Sequence, residues 1–200
     1  MVVRDHMSSK VITVERQCPI TEARAVLRKH RIRQLPVLHN DRLVGIVTDR
    51  DLRGAAAKAK NVREVMTAKP TVIGPQAPID EAAHLLRSLK VGSLPVLENN
   101  RLVGIITTSD VMEAFVEFCG VTERTYHMVL GAHDGTDAKW RIRRIIDQKH
   151  GDLKWIYRDR HSGRVHLRLK STQIDDIAAA LEAAGFDVST IMSSSRRQRA

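Results

Sequence analysis

Two short stretches carry the residue types from which a nucleotide site could be built. Gly45-Ile-Val-Thr48-Asp-Arg-Asp51 and Gly104-Ile-Ile-Thr107-Thr-Ser-Asp110 each keep a glycine, a hydroxyl three residues later and a carboxylate three beyond that. Both read as a strand running into a helix. A strand that ends at a helix N-terminus leaves backbone N–H groups unpaired and a positive dipole end, which together favour a phosphate. A threonine hydroxyl there can donate to a phosphate or ribose oxygen, and an aspartate in the first turn can accept from both ribose hydroxyls. Glycine at the strand start permits close backbone approach. Threonine at an N-cap with aspartate in the first turn is equally ordinary capping chemistry, so the pattern alone leaves both readings open.

The elements that must position these residues come from a duplication. Sliding the chain by 59 residues aligns Val3 to Ala55 with Val62 to Ala114 without a gap, with about 24 identities in 53 positions. Each copy reads as strand, helix, strand, strand, helix. In the first copy Val11 to Val14 is a short β-branched run, and Ile20, Ala23, Val26 and Leu27 recur at helical spacing. Thr21, or Asp80 in the second copy, sits where an N-cap is expected. Leu35 to Leu38 and Leu43 to Val47 are nearly continuous apolar runs separated by Asn40-Asp41, which tolerates left-handed turn geometry. They read as a hairpin whose strands are buried on both faces. The last helix of each copy begins near Asp49 and near Thr108. A 60-residue copy could not bury its sheet alone, so the two copies are expected to pack as one pseudo-symmetric domain.

The duplicated Leu-Pro-Val-Leu (35–38 and 94–97), the Leu-Val-Gly-Ile (43–46 and 102–105) and the Gly-x-x-Thr-x-x-Asp stretches resemble the cystathionine-β-synthase-type domain pair, the CBS pair or Bateman module, over residues 1 to about 118. The resemblance implies two clefts between the copies that accept adenosine-containing ligands such as AMP, ADP, ATP, S-adenosylmethionine or a dinucleotide. Carried onto this chain, one site would join Thr107, Ser109 and Asp110 to Lys10, Ile12, Ile32 and Arg33. The other would join Thr48, Arg50 and Asp51 to Lys69, Thr71, Val91 and Gly92. The two are not equivalent: Arg33 offers a phosphate-binding fork, its counterpart Gly92 offers none, and Arg50 is placed to compensate. The ligand would be regulatory, with no cofactor required. Family behaviour also implies a homodimer.

The remaining third of the chain reads as a second domain. Gly120 is a plausible C-cap for the helix that runs through Phe118, and 121–124 is a linker. Tyr126, Met128 and Leu130 alternate with His127 and Val129 as a strand. Ala138, Ile142, Ile145 and Lys149 form a helical stripe with Ile146 beside it. Leu153, Trp155 and Tyr157 alternate, Ser162-Gly163 marks a turn, and Val165, Leu167 and Leu169 alternate again. Ile174, Ile177, Ala178 and Leu181 are helical, Gly185 ends that helix, and Phe186 to Ile191 reads as the closing strand. The order β-α-β-β-α-β is the ferredoxin-like split unit. After a CBS pair it resembles the ACT-type regulatory domain, and the whole resembles the acetoin-utilisation B-type CBS proteins of bacteria. Amino-acid-binding members of the ACT family carry an Asp-x-Pro-Gly-like turn after the first strand. Here that turn is His133-Asp134-Gly135-Thr136, in which Gly135 matches and the proline is absent, so dimerisation is the expected role. The expected organisation is thus an α+β/α/β chain: repeats at 1–60 and 61–120, linker 121–124, ACT-like domain 125–192 and a basic flexible tail 193–200.

Composition excludes several classes. The 200 residues are 42% hydrophobic and 28% charged, as in a globular protein. No apolar run reaches the roughly 20 residues that cross a bilayer, and the first ten residues lack a signal-peptide core, so a cytoplasmic location is expected. The net charge of +10 suits a nucleic-acid binder, but it is spread evenly, +5 over residues 1–120 and +5 over 121–200. Aromatics are 4%, few for base stacking. Arg164, His166, Arg168 and Lys170 make one strand face basic, which reads as a solvated sheet face. The nine histidines and two cysteines show no metal-ligand spacing, and no catalytic nucleophile or paired-carboxylate motif is recognisable. The reading is a non-catalytic sensor with an unknown regulated protein target. A nucleic-acid-associated or transcription-linked basic regulator, and a structural dimer with empty clefts, are the alternatives.

Overall fold

The computed structural model describes residues 1–55, 59–121, 123–131 and 137–194. They fall into two compact units, Met1–Ala114 and Phe115–Ala200. The first unit opens with α1 (Val3–His6), β1 (Val14–Glu15), α2 (Ile20–His30), β2 (Gln34–His39), β3 (Arg42–Thr48) and α3 (Asp49–Arg53). It continues through a 3-10 turn (Val62–Glu64), β4 (Thr67–Ala68), α4 (Ile79–Ser88), β5 (Ser93–Glu98), β6 (Arg101–Thr107) and α5 (Thr108–Phe118), which runs on into the second unit.

Local sequence accounts for most of these bounds. The hairpin turns Asn40-Asp41 and Asn99-Asn100 all take positive φ (50°, 58°, 50° and 62°), as a two-residue turn matched to strand twist requires. The middle helices start one to two residues earlier than expected: Pro19 and Pro78 occupy the N-caps, and Thr21 and Asp80 lie in the first turn. The proline carbonyls accept from Ala23 N–H (3.0 Å) and Ala82 N–H (3.4 Å), so the missing proline N–H is of no consequence there. β2 buries Leu35, Pro36 and Val37 in succession, but β3 and β6 alternate, with only Gly and one apolar residue of each fully inside.

The two copies exchange their leading segments. Val62, from the start of the second copy, is buried with Val14, Ile20, Ala23, Leu27, Leu35, Val37, Val47 and Leu52 of the first. Val3, from the start of the first, is buried with Ile73, Ala82, Leu86, Leu94, Val96 and Ile106 of the second. Hydrogen bonds follow the same swap. Val62 N–H donates to Cys18 O (2.9 Å) and Val3 N–H to Ala77 O (2.9 Å). β4 pairs antiparallel with β3, Ala68 facing Gly45, while Ser8 bridges to Ile105 of β6. The chain then crosses back. Residues 9–13 lead from that edge to β1, which pairs parallel with β2 (Val14 with Val37), so the strand expected over Val11 to Val14 is shortened to Val14–Glu15. Neither copy closes its core without the other's first turn.

In the second unit β7 (Tyr126–Leu130), α6 (Ala138–Gln148), β8 (Asp152–Arg158), β9 (Val165–Lys170), α7 (Ile174–Ala183) and β10 (Val188–Ser193) follow in the order β-α-β-β-α-β. The sheet is antiparallel with strand order β10-β7-β9-β8. Its core joins Met128, Leu130, Val165, Leu167 and Leu169 to Ala138, Ile142, Ile146, Ile177 and Leu181 of the helices. The helical stripe therefore runs through Ile146, while Ile145 is half-buried and Lys149 lies exposed at the C-cap. A register shift between Leu153 and Trp155 breaks the expected alternation of β8: Leu153 and Ile156 pack on the core, and Trp155 and Tyr157 share the opposite face with His127, His166 and Arg168. There His127 and His166 stack at 5.4 Å, and the Arg168 guanidinium lies 5.9 Å from the Trp155 ring. The expected basic row is thus half-buried among rings at its centre. Gly185 (φ 88°) ends α7 and Phe186 is buried before the last strand, which runs to Ser193 rather than to Ile191. Ser194, expected in a tail, donates from its hydroxyl to Glu123 O at 2.7 Å. The turn 133–136 and residues 195–200 lie outside the described residues.

Candidate functional site

At the end of β3, Thr48 caps α3. Its N–H and its hydroxyl both donate to Asp51 Oδ2, at 2.8 and 2.7 Å, and Asp51 N–H donates to Thr48 Oγ1 at 3.3 Å. The second copy repeats this at Thr107 and Asp110, with distances of 2.7, 2.8 and 3.3 Å. This is a capping box built with aspartate. The next N–H of each helix is also engaged: Asp49 N–H donates to Arg33 O (2.9 Å) and Thr108 N–H to Gly92 O (3.2 Å).

These bonds realise the capping reading of the motif. The threonine proton is directed at its own aspartate, and most N–H groups of the junction are already satisfied, so they are not free donors for a phosphate. What each box leaves available is the second carboxylate oxygen, Oδ1, which accepts no hydrogen bond among the described residues. A carboxylate oxygen held rigidly by the cap suits a ribose hydroxyl better than an anion.

The glycine of each motif also has a different task. A Cβ on Gly45 would run into Met66 Sδ and come within 3.1 Å of Thr67 O; a Cβ on Gly104 would run into Met7 Sδ and lie 3.0 Å from its Cγ. Both glycines make room for the exchanged segment of the other copy, not for a ligand. Met7 and Met66 stand at equivalent positions of the repeat, and their pairing with the glycines has no sequence signal beyond that equivalence.

Of the residues grouped with Thr48, Arg50 and Asp51, Gly92 is brought beside the end of β3 through Gln34. Thr48 pairs with Gln34 across β2 and β3, and the Gln34 side chain lies 3.4 Å from the position a Gly92 Cβ would take. Val91 is exposed beside it, and its N–H donates to Leu86 O. Lys69, at positive φ (48°), donates its N–H to Val44 O, four residues before Thr48 on β3, and Thr71 lies on the crossing that leads to the bridge between Ile73 and Val96. In the other group Thr107 pairs with Ser93, Ile12 and Ile32 are half-buried against the first copy's core, and Lys10, Arg33 and Ser109 are exposed. An open concavity of about 620 Å³ is lined by Arg50 and Asp51 together with Glu64 and Val65, and not by Lys69 or Thr71. Val65 and Glu64 are therefore neighbours of the motif that sequence reasoning missed; only the exchange brings them there. Among the described residues no group of three or more metal-ligating side chains occurs, and no helix is long and apolar enough to cross a membrane.

The doubled sheet with its paired capping boxes defines a tandem-repeat module of mixed α/β type. The CBS domain family model matches it twice, over residues 3–58 and 62–117, and the chain belongs to that family. Inosine-5'-monophosphate dehydrogenase of Korarchaeum cryptofilum is 38% identical over 111 residues, which is 55% of this chain but only 22% of that enzyme. Among solved structures, the CBS domain pair of protein MJ0100, in complex with 5'-methylthioadenosine and S-adenosyl-L-methionine, is 32% identical with a TM-score of 0.55, covering 57% of this chain and 99% of that one. CBSX2 in complex with AMP is 28% identical with a TM-score of 0.55, covering 58% and 96%. An AcuB protein from Vibrio cholerae is 32% identical with a TM-score of 0.56, covering 62% and 96%.

Proposed function

We propose that this chain is a non-catalytic regulatory protein that binds an adenosine-containing ligand between its CBS repeats and relays occupancy through a homodimer. The observation that carries this reading is the repeated capping box, which holds one oxygen of Asp51 and of Asp110 and leaves the other to accept from a ribose. Gly92, beside Gln34 and Thr48, would form part of the cleft of the first motif, together with Arg50, Lys69, Thr71 and Val91. Lys10, Ile12, Ile32 and Arg33 would serve the second, with Thr107, Ser109 and Asp110. AMP and S-adenosylmethionine bound to related pairs support the ligand class. Because each copy's core is closed by the other's leading segment, a ligand spanning both copies would bias their relative arrangement by its differential affinity for the two states.

The second unit is proposed as an ACT-like domain, on its element order, with dimerisation as its role; the boundaries 125–192 for it and 1–60 and 61–120 for the repeats belong to the same proposal. Support for a dimer comes from α5, whose Met112, Phe115 and Phe118 are 60%, 59% and 58% exposed. Large apolar side chains clustered on one helix are a common mark of an interaction surface.

The test is the thermal midpoint of the full chain with AMP, ADP, ATP, S-adenosylmethionine and NAD, repeated for Asp51→Ala, Asp110→Ala and the double variant. A ligand of the folded state raises the midpoint with occupancy. Loss of a hydrogen bond to a carboxylate should weaken the affected site by about 1.5–3 kcal/mol, roughly ten- to a hundredfold. No shift with any compound at millimolar concentration would overturn the nucleotide reading in favour of a structural dimer.

A further inference from the structure

We propose that the cleft at the hairpin end of the repeat pair is a further ligand site, separate from the two adenosine clefts above, and that it takes a small phosphorylated compound. The β2–β3 and β5–β6 turns and alternate residues of the crossing segment 9–13 line a half-open cleft of about 820 Å³, within the range of small-molecule sites. It lies at the far end of the module from the capping boxes. Arg42 and Arg101, which border it, are the first residues of β3 and β6, whereas Thr48 and Thr107 are the last, about 20 Å away along a seven-residue strand. The crossing segment sends every second residue into it, Ser9, Val11 and Thr13; the intervening Lys10 and Ile12 are those assigned to the adenosine cleft.

Three properties set the ligand class. First, charge: two guanidinium groups face the cleft against the single carboxylate of Asp41, and neither arginine has an ion-pair partner among the described residues. Planar guanidinium forks recognise phosphate bidentately. Second, polar lining: Asn40, Asn99 and Asn100 sit on positive-φ turns that few other residue types adopt, which places three amide-bearing residues along the cleft. Asparagine at such turns is explained by the turn itself, but the turn does not require an arginine after it, and both copies have one. Third, the half-buried Val11, Leu38 and Leu102 give the cleft an apolar side that suits the carbon skeleton of a sugar or polyol.

Calorimetric titration of the full chain with ribose 5-phosphate and with inorganic pyrophosphate, at low salt and at 0.15 M, tests the site. Saturable binding of at least one probe is expected, weakened about tenfold or more by Arg42→Gln or Arg101→Gln and unchanged by Asp51→Ala with Asp110→Ala. Both arginines are exposed, so folding of the variants is checked by an unaltered thermal midpoint. Ribose 5-phosphate binding alone would assign the cleft to phosphorylated sugars, and binding of both probes to phosphate as such. The proposal is overturned by no binding of either probe at low salt, by binding that the arginine variants leave intact, or by binding that the aspartate variants abolish.

Discussion

Replacing Gly104 with alanine places a methyl group against Met7, a residue of the exchanged segment, and the cost can be worked from the contacts. The new Cβ would collide with Met7 Sδ and sit 3.0 Å from Cγ and 3.1 Å from Cε. Methionine has three rotatable bonds and can swing its end away, but its backbone is tied down. Met7 N–H donates to Val3 O at 2.9 Å, and Ser8 exchanges two hydrogen bonds with Ile105, at 3.0 and 3.1 Å. Overpacking of this kind costs about 1–3 kcal/mol. Loss of glycine's freedom in the unfolded chain returns about 0.4–1 kcal/mol. A net destabilisation of about 1–2 kcal/mol would lower the midpoint by roughly 2–8 °C for a chain of this size. The assay is ligand-free thermal and urea unfolding of Gly104→Ala, Met7→Ala and the double variant. The pair should be coupled by about 0.5–3 kcal/mol, with Met7→Ala relieving the alanine. Gly45→Ala should be the more damaging of the two glycine changes, because its Cβ also meets a backbone atom, Thr67 O at 3.1 Å. An unchanged ligand-free midpoint together with lost nucleotide binding would refute the assignment and return the glycine to the ligand.

Thr107→Val removes the hydroxyl that both accepts from Asp110 N–H and donates to its carboxylate, and should cost about 1 kcal/mol in chemical denaturation, with Thr107→Ser close to the parent. Burial, then the Arg168 and His166 charges, hold the His127 imidazole below its ordinary value, so the folded state favours the neutral ring. Stability from this residue is complete above about pH 6.5 and falls as pH drops toward the lowered folded value; His127→Gln should flatten the midpoint-versus-pH curve across that window. Trp155→Phe deletes the indole N–H that donates to Cys119 O at 3.1 Å and should destabilise by about 1 kcal/mol, whereas Trp140→Phe, at a side chain 62% exposed, should leave the unfolding midpoint nearly unchanged.

Features with a local cause were legible in the sequence. The Asn40-Asp41 and Asn99-Asn100 turns need positive φ at two successive residues, a demand these residue types meet wherever the chain goes. Thr48 with Asp51 and Thr107 with Asp110 form their capping boxes within four residues, so the spacing offered capping as one of its two readings. Long-range causes left weaker traces. The bulge in β8 has no periodic signature, because one extra residue turns an alternating pattern into another that looks equally regular, so Leu153, Trp155 and Tyr157 read as one unbroken alternation. α2 and α4 start at Ile20 and Ile79, ahead of Thr21 and Asp80, because the carbonyls of Pro19 and Pro78 already accept the first helical hydrogen bonds without a capping side chain.

By itself the sequence determined that the chain contains one unit twice, that each copy ends a strand at a Thr-x-x-Asp stretch, and that a β-α-β-β-α-β segment follows. Tertiary structure alone decided which copy each leading segment completes. Val3 and Val62 occupy equivalent places in a 59-residue repeat, and either could close its own core or its neighbour's with the same residue types. The two arrangements present nearly identical local patterns, and they differ in where the chain crosses, which is a property of three-dimensional connection and packing. That choice fixed the partners of Gly45 and Gly104, carried Glu64 and Val65 beside Asp51, and formed the half-open cleft between Arg42 and Arg101.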